Sequence, residues 1–148
     1  MVKTVLAIVV IILGLVCWLG QALALVAPRV AVKLGLDEPK EDVDRSMYLF
    51  ERFSQGIMDV LLAWTLPASA FMMLLGYPHW PILALVGGGV YLYFPGVFSI
   101  TRIALKKNGL KIGRPASEVS AYVFGTLWTL SAVYMIALAV AELVSDGY

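Results

Sequence analysis

The sequence predicts an all-α integral membrane protein: four transmembrane helices in a bundle, one domain over residues 1–148, with a short amphipathic interfacial helix before the second span. Three observations carry that prediction. Of 148 residues, 61% are hydrophobic and only 14% are charged, where soluble domains carry about a quarter charged. The apolar residues fall into four runs, each near the ~20 residues that cross ~30 Å of hydrocarbon. The basic residues gather in two of the connecting loops and avoid the rest of the chain.

The first run, about residues 4–27, follows Lys3 and contains Ala22-Leu23-Ala24, which imitates a signal-peptidase site. It is longer than a signal-peptide core, so a helix is expected rather than a cleaved leader. The second, third and fourth spans are expected at about 57–76, 81–103 and 119–143. Orientation follows from charge. Arg29, Lys33, Lys40, Arg45 and Arg52 lie between spans one and two, and Arg102, Lys106, Lys107, Lys111 and Arg114 lie at or beyond the end of span three. Only Lys3 is on the opposite side. The positive-inside rule places both long loops (about 28–56 and 104–118) in the cytoplasm and both termini outside, as in a prokaryotic-type plasma membrane.

In the first loop, Asp37, Glu38, Glu41, Asp42 and Asp44 surround Lys40 and Pro39. The stretch lacks the alternating Asp spacing and glycine of a calcium loop, so a solvated acidic turn is expected. Met47, Phe50, Phe53 and Ile57 then recur at intervals of three and four, with Glu51, Arg52 and Gln55 elsewhere around the helix. That spacing predicts a short helix lying on the inner membrane face. In the second loop, Asn108-Gly109 reads as a helix C-cap and Pro115 as the start of span four, with Glu118 complementing the helix dipole. Lys106, Lys107, Lys111 and Arg114 are placed to contact anionic lipid headgroups.

Polar groups inside the spans carry the most functional weight, because each is costly there unless paired. Asp59 lies two residues into span two, and Arg102 ends span three on the same side. The pair reads as an ion pair, with a coupling site for a proton or cation as the sharper alternative. Gln21 lies about 9 Å inside span one and should hydrogen-bond another helix, with Thr65, Thr126, Thr129 and Tyr93 as candidate partners. Trp18, Trp64, Tyr93 and Trp128 come from four different spans at similar depth, whereas Tyr77 and Trp80 suit the outer interface. Pro67 and Pro95 each remove a helical hydrogen bond, freeing the carbonyls of Ala63 and Tyr91. Trp18, Gln21, Trp64, Thr65, Tyr91, Tyr93 and Trp128 are therefore the candidate ligand-binding set, and the ligand would be a quinone, a pigment or a lipid. Gly87, Gly88 and Gly89 extend a small-residue surface begun by Ala84, and Gly96 lies one heptad beyond Gly89. Gly125, Ser131 and Ala132 do the same in span four, and such faces let helices approach closely.

Several functions are disfavoured. A formal charge of +1 offers no basic surface for nucleic acid. One cysteine, Cys17, precludes an intramolecular disulfide, and one histidine, His79, precludes bis-histidine haem ligation within the chain. No catalytic residues, metal site or resident cofactor are predicted. The class these features predict is a non-catalytic small polytopic membrane protein: an accessory or assembly subunit of a larger complex, or a homo-oligomer, contacting lipids and other membrane subunits or itself. A small oligomeric transporter or channel using Asp59 and Arg102 is the alternative. A binder of a flat hydrophobic cofactor or lipid at the aromatic layer is the second.

Overall fold

The computed structural model describes residues 2–145. Among them are four helices long and apolar enough to cross a membrane, Lys3–Val26, Arg45–Leu74, Trp80–Lys107 and Pro115–Ser145. The described residues hold no strand, only an isolated antiparallel bridge between Val43 and Ile112. Helix α1 (Val2–Val26) is apolar almost throughout, and α2 (Pro28–Lys33) begins directly after it with proline at its start, where the missing N–H costs nothing. The second long helix is composite. It comprises α3 (Arg45–Leu49), a π-helical turn (Phe50–Gln55), α4 (Gly56–Leu62) and α5 (Thr65–Leu74). Asp44 caps α3, its carboxylate accepting from the Ser46 N–H at 2.8 Å. Helix α6 (Trp80–Lys107) runs through Pro95 without interruption, and α7 (Pro115–Ser145) starts at Pro115. The expected stop at Asn108-Gly109 forms: Gly109 takes φ +75° and the Leu110 N–H reaches back to the Leu105 carbonyl.

The amphipathic segment differs from its expectation in one way: it is continuous with the second long helix rather than a separate element. Phe53 and Ile57 are exposed while Gln55 and Asp59 are buried. Met47 alone of the apolar set is buried, in a small cluster with Val43 and Ile112. Spacing fixes which residues share a face of a helix, but not which face meets the protein.

Helices α6 and α7 form the most extensive contact, α5 packs on α6, and α1 packs against α4 and α5. The main core occupies the half of the molecule nearer the two termini. It is built from small residues, Ala7, Ala63, Ala70, Ala84, Ala132 and Ala139, interleaved with Val10, Leu66, Trp80, Tyr91 and Met135. Trp80, expected at an interface, is buried in this core at 4% exposure, whereas Tyr77 is exposed. The small-residue positions explain the close packing. A β-carbon on Gly87 would lie 2.5 Å from the Leu66 backbone nitrogen, and one on Gly88 would lie 2.5 Å from Ile136. One on Gly14 would strike the Pro67 ring at 2.8 Å. Gly89 and Gly96 have open space instead. Outward-facing positions such as Val5, Ile12, Leu19, Leu61, Ile82, Ile100 and Val133 are large, apolar and exposed.

Candidate functional site: a cavity at the loop end

The other half of the molecule, where both long loops lie, is built differently. The two loops clasp each other. The Asp44 N–H donates to the Lys111 carbonyl at 2.8 Å and the Gly113 N–H to the Asp42 carbonyl at 3.1 Å, on either side of the Val43–Ile112 bridge. Glu38, buried at 7% exposure, accepts from the backbone N–H and the Nε of Arg114, and Arg114 also faces Asp42 at 3.4 Å. Gly113 stands at φ +100°, and a β-carbon there would meet the Glu38 carboxylate at 2.6 Å. The acidic turn expected to be solvated is thus partly an inward-facing part of the clasp. Burial pushes the Asp37 carboxyl above the usual aspartate range, with the Glu38 N–H it accepts and the nearby Arg52 opposing that rise.

Beneath the clasp is a cavity of about 370 Å³ bounded by α1, the composite second helix, α6 and α7. Glu51, Gln55 and Asp59 recur every four residues and all line it. At 3.6 residues per turn such a row drifts around a helix, and the wider i→i+5 turn over Phe50–Gln55 takes back that drift. One polar stripe therefore faces inward. Glu51 is paired with Arg102, which is 5% exposed: Nε donates to Oε1 at 2.8 Å and Nη2 to Oε2 at 3.1 Å. Arg102 also donates to the Ile112 carbonyl and lies over the Phe98 ring at 4.4 Å. The expected Asp59–Arg102 pair does not form. Glu51, about two turns nearer the loop end than Asp59 on the same helix, supplies the bidentate partner that Asp59 does not. Arg52 donates to the Tyr48 hydroxyl at 3.0 Å and to the Leu25 carbonyl in the last turn of α1 at 3.1 Å, a favourable place for a cation.

The inner floor of the cavity is a break in the second long helix. Between α4 and α5 the chain makes a turn at Ala63-Trp64, one helical turn before Pro67. Side chains reach four consecutive carbonyls there. Trp18 Nε1 donates to Val60 at 2.9 Å, Trp64 Nε1 to Leu61 at 2.9 Å, Thr65 Oγ1 to Leu62 at 2.6 Å and the Tyr91 hydroxyl to Ala63 at 2.9 Å. Trp128 Nε1 donates to the Leu13 carbonyl at 3.0 Å, tying α7 to α1 at the same level. Much of the aromatic layer is accordingly committed to hydrogen bonds with backbone.

The sequence-predicted set therefore divides. Gln21, Tyr91, Trp128, Asp59 and Arg102 line the cavity, and Trp18, Trp64 and Thr65 lie outside its lining. Tyr93 points away from it, 64% exposed. None of the partners expected for Gln21 bonds it: Thr65, Thr126 and Thr129 each donate to a carbonyl of their own helix. Of the basic residues of the second loop, Lys106 pairs with Glu118 at 2.8 Å and Arg114 joins the clasp, while Lys107 and Lys111 are exposed and make no ion pair among the described residues. Sequence reasoning missed Glu51 and Gln55 as inward-facing groups, although their four-residue spacing from Asp59 was a usable signal. It also missed the Phe94, Phe98 and Phe124 rings of the wall.

Two nearly buried lining groups have acceptor oxygens without a donor, and the half-buried Gln21 amide makes no side-chain hydrogen bond among the described residues. The amide of Gln55, 7% exposed, donates through Nε2 to the Phe94 carbonyl at 3.2 Å, leaving Oε1 buried without a donor. Asp59, 4% exposed, makes neither hydrogen bond nor ion pair through its carboxylate among the described residues. No three His, Cys, Asp or Glu side chains among the described residues are grouped to hold a metal ion. No family model, curated protein or solved structure matches this chain.

Proposed function

We propose that this chain is an integral membrane protein, a bundle of four spans, that binds a small and largely apolar molecule in the cytoplasmic half of the membrane without catalysing a reaction on it. The observation that carries the reading is the cavity. Its volume of about 370 Å³ falls in the ~300–1,000 Å³ range of small-molecule sites, and it joins an aromatic wall to a few convergent polar groups, as such sites do. The orientation rests on charge: ten basic residues at the loop end against Lys3 at the other. The lining ends at Ala63, Tyr91 and Trp128, which favours a pocket over a path and weakens the channel alternative.

The test is native mass spectrometry of the protein gently extracted from its own membrane, beside an Ala121→Trp variant that fills the cavity from α7. The expected result is a discrete small-molecule adduct on the wild type that the variant loses while keeping its helical content. An adduct that persists in Ala121→Trp, or only bulk lipid on both proteins, would sink the reading.

A second reading, assembly as an accessory subunit or homo-oligomer, has a narrower footing than the sequence suggested. Gly87, Gly88, Gly125, Ser131 and Ala132 are buried within the chain, so they do not argue for a partner. What favours assembly is one face of α6 on which Gly89 and Gly96 have open space and Tyr93 and Ile100 are exposed. Cross-linking from a Gly89→Cys substitution in native membranes reads this directly, and only monomer at saturating cross-linker would remove it.

A further inference from the structure

We infer that the ligand is an organic cation: an ammonium or similar hydrogen-bond-donating head on an apolar, ring-containing body, with the head between the Asp59 carboxylate and Gln55 Oε1. This rests on the binding reading above and adds the chemical class.

The argument is an account of donors and acceptors around the cavity. The charged donors and those nearest the inward stripe are already engaged. Arg102 is held by Glu51, the Ile112 carbonyl and the Phe98 face. Arg52 is held by Tyr48 and the Leu25 carbonyl, and the Tyr91 hydroxyl by Ala63. The Gln55 Nε2 group is taken by Phe94. Most of the acceptors are engaged as well: Glu51 by Arg102, and Glu38 by Arg114. On the inward stripe of the second helix, what remains is Gln55 Oε1 and the Asp59 carboxylate, one turn apart and both nearly fully buried. Across the cavity the half-buried Gln21 amide is also unpaired among the described residues.

A buried acceptor without a donor costs about 1–3 kcal/mol, and more if charged, so these two positions favour a ligand that brings donors. A quinone brings only carbonyl acceptors and would leave both Gln55 Oε1 and Asp59 without a donor. A fatty-acid carboxylate would place a second anion beside Asp59. A protonated amine supplies up to three N–H donors and a charge opposite to that of Asp59, and the Phe94 and Phe124 rings of the wall offer π-faces that attract cations.

The test uses three probes of one shape, 1-naphthylmethylamine, 1-naphthylmethanol and 1-naphthoate, titrated at pH 7.5 into the full chain in uncharged nanodiscs. Binding is read by calorimetry and by protection of Cys17, the chain's single cysteine and itself a lining residue, from alkylation. The amine should bind at least tenfold more tightly than the alcohol, and the carboxylate least. Asp59→Asn should bring the amine to the level of the alcohol measured on the same variant, and an unchanged helical circular-dichroism spectrum shows that the variant is folded. Gln55→Met should weaken the amine by a smaller factor. Equal binding of amine and alcohol, or a preference that survives Asp59→Asn, overturns the cationic assignment and leaves the binding reading standing. If none of the three binds or protects Cys17, the binding reading falls and this inference with it.

Discussion

The Tyr91 hydroxyl donates to the carbonyl of Ala63 at 2.9 Å, and Ala63 is the residue whose helical partner would have been the N–H that Pro67 lacks. A side chain on α6 thus completes the hydrogen bonding of a break in the neighbouring helix. Both residues are buried, at 3% and 2% exposure, so water is a poor substitute. Tyr91→Phe should destabilise the protein by about 1–2 kcal/mol, the cost of an orphaned buried carbonyl. Restoring the missing donor with Pro67→Ala should recover part of that loss, so that the double variant is more stable than the sum of the two single changes predicts. Equilibrium unfolding of the four proteins in one detergent measures the coupling, and strict additivity would break the proposed link.

A second prediction concerns the glycine triplet. A β-carbon on Gly87 would meet Leu66 backbone at 2.5 and 2.7 Å, and backbone cannot rotate away as a side-chain tip can. Gly87→Ala should therefore cost about 1–3 kcal/mol through displaced helices. Gly89→Ala, two residues on with nothing within 4 Å, should be neutral or stabilising by up to about 1 kcal/mol, since alanine loses less freedom in a helix. Melting temperatures of the two variants should move in opposite directions or differ by several degrees.

These pairs also show what the sequence could reveal. The four long apolar runs, the cap at Gly109 and the freed carbonyl at Ala63 were all legible, because each depends on local chemistry: a run length, a positive-φ glycine, a missing N–H. The partner of the carbonyl was not, since Tyr91 lies 28 positions away. The inward stripe was illegible for another reason. Spacing set Glu51 and Gln55 apart from Phe53 and Ile57 around the helix without showing what either side would meet, and a helix whose outer surroundings are apolar can turn Glu51, Gln55 and Asp59 inward. The sense of an amphipathic helix depends on its solvent, which periodicity does not report.

The third prediction follows from that inward stripe. Arg102 is almost wholly buried and Glu51 is its bidentate partner. Removing the carboxylate with Glu51→Gln leaves a buried guanidinium short of its counter-charge, and a loss of about 3–5 kcal/mol is expected. Replacing both, with Glu51→Met and Arg102→Met together, should be milder than Glu51→Gln alone, because no uncompensated charge remains. Asp59→Asn should not interact with either change, and a double-mutant cycle that coupled Asp59 to Arg102 more strongly than Glu51 does would contradict the pairing.

The last prediction uses the clasp and its pH dependence. Burial raises the folded-state pKa of Asp37, with the Glu38 N–H and Arg52 acting in the opposite direction. A carboxyl whose pKa is higher folded than unfolded holds its proton more tightly in the fold. Its contribution therefore turns against the fold as pH rises from the unfolded value, about 3.9, through the raised one, and stays unfavourable above it. Asp37→Asn removes the ionisation while keeping a side-chain oxygen that can accept from the Glu38 N–H. The variant should accordingly be more stable than wild type at pH 7, and the advantage should vanish below about pH 4, where the native carboxyl is already neutral. Protection of loop amides from hydrogen exchange, compared at the two pH values after correction for intrinsic rates, reads the effect at the clasp itself. A gain of equal size at both pH values would assign it to packing rather than to the buried charge.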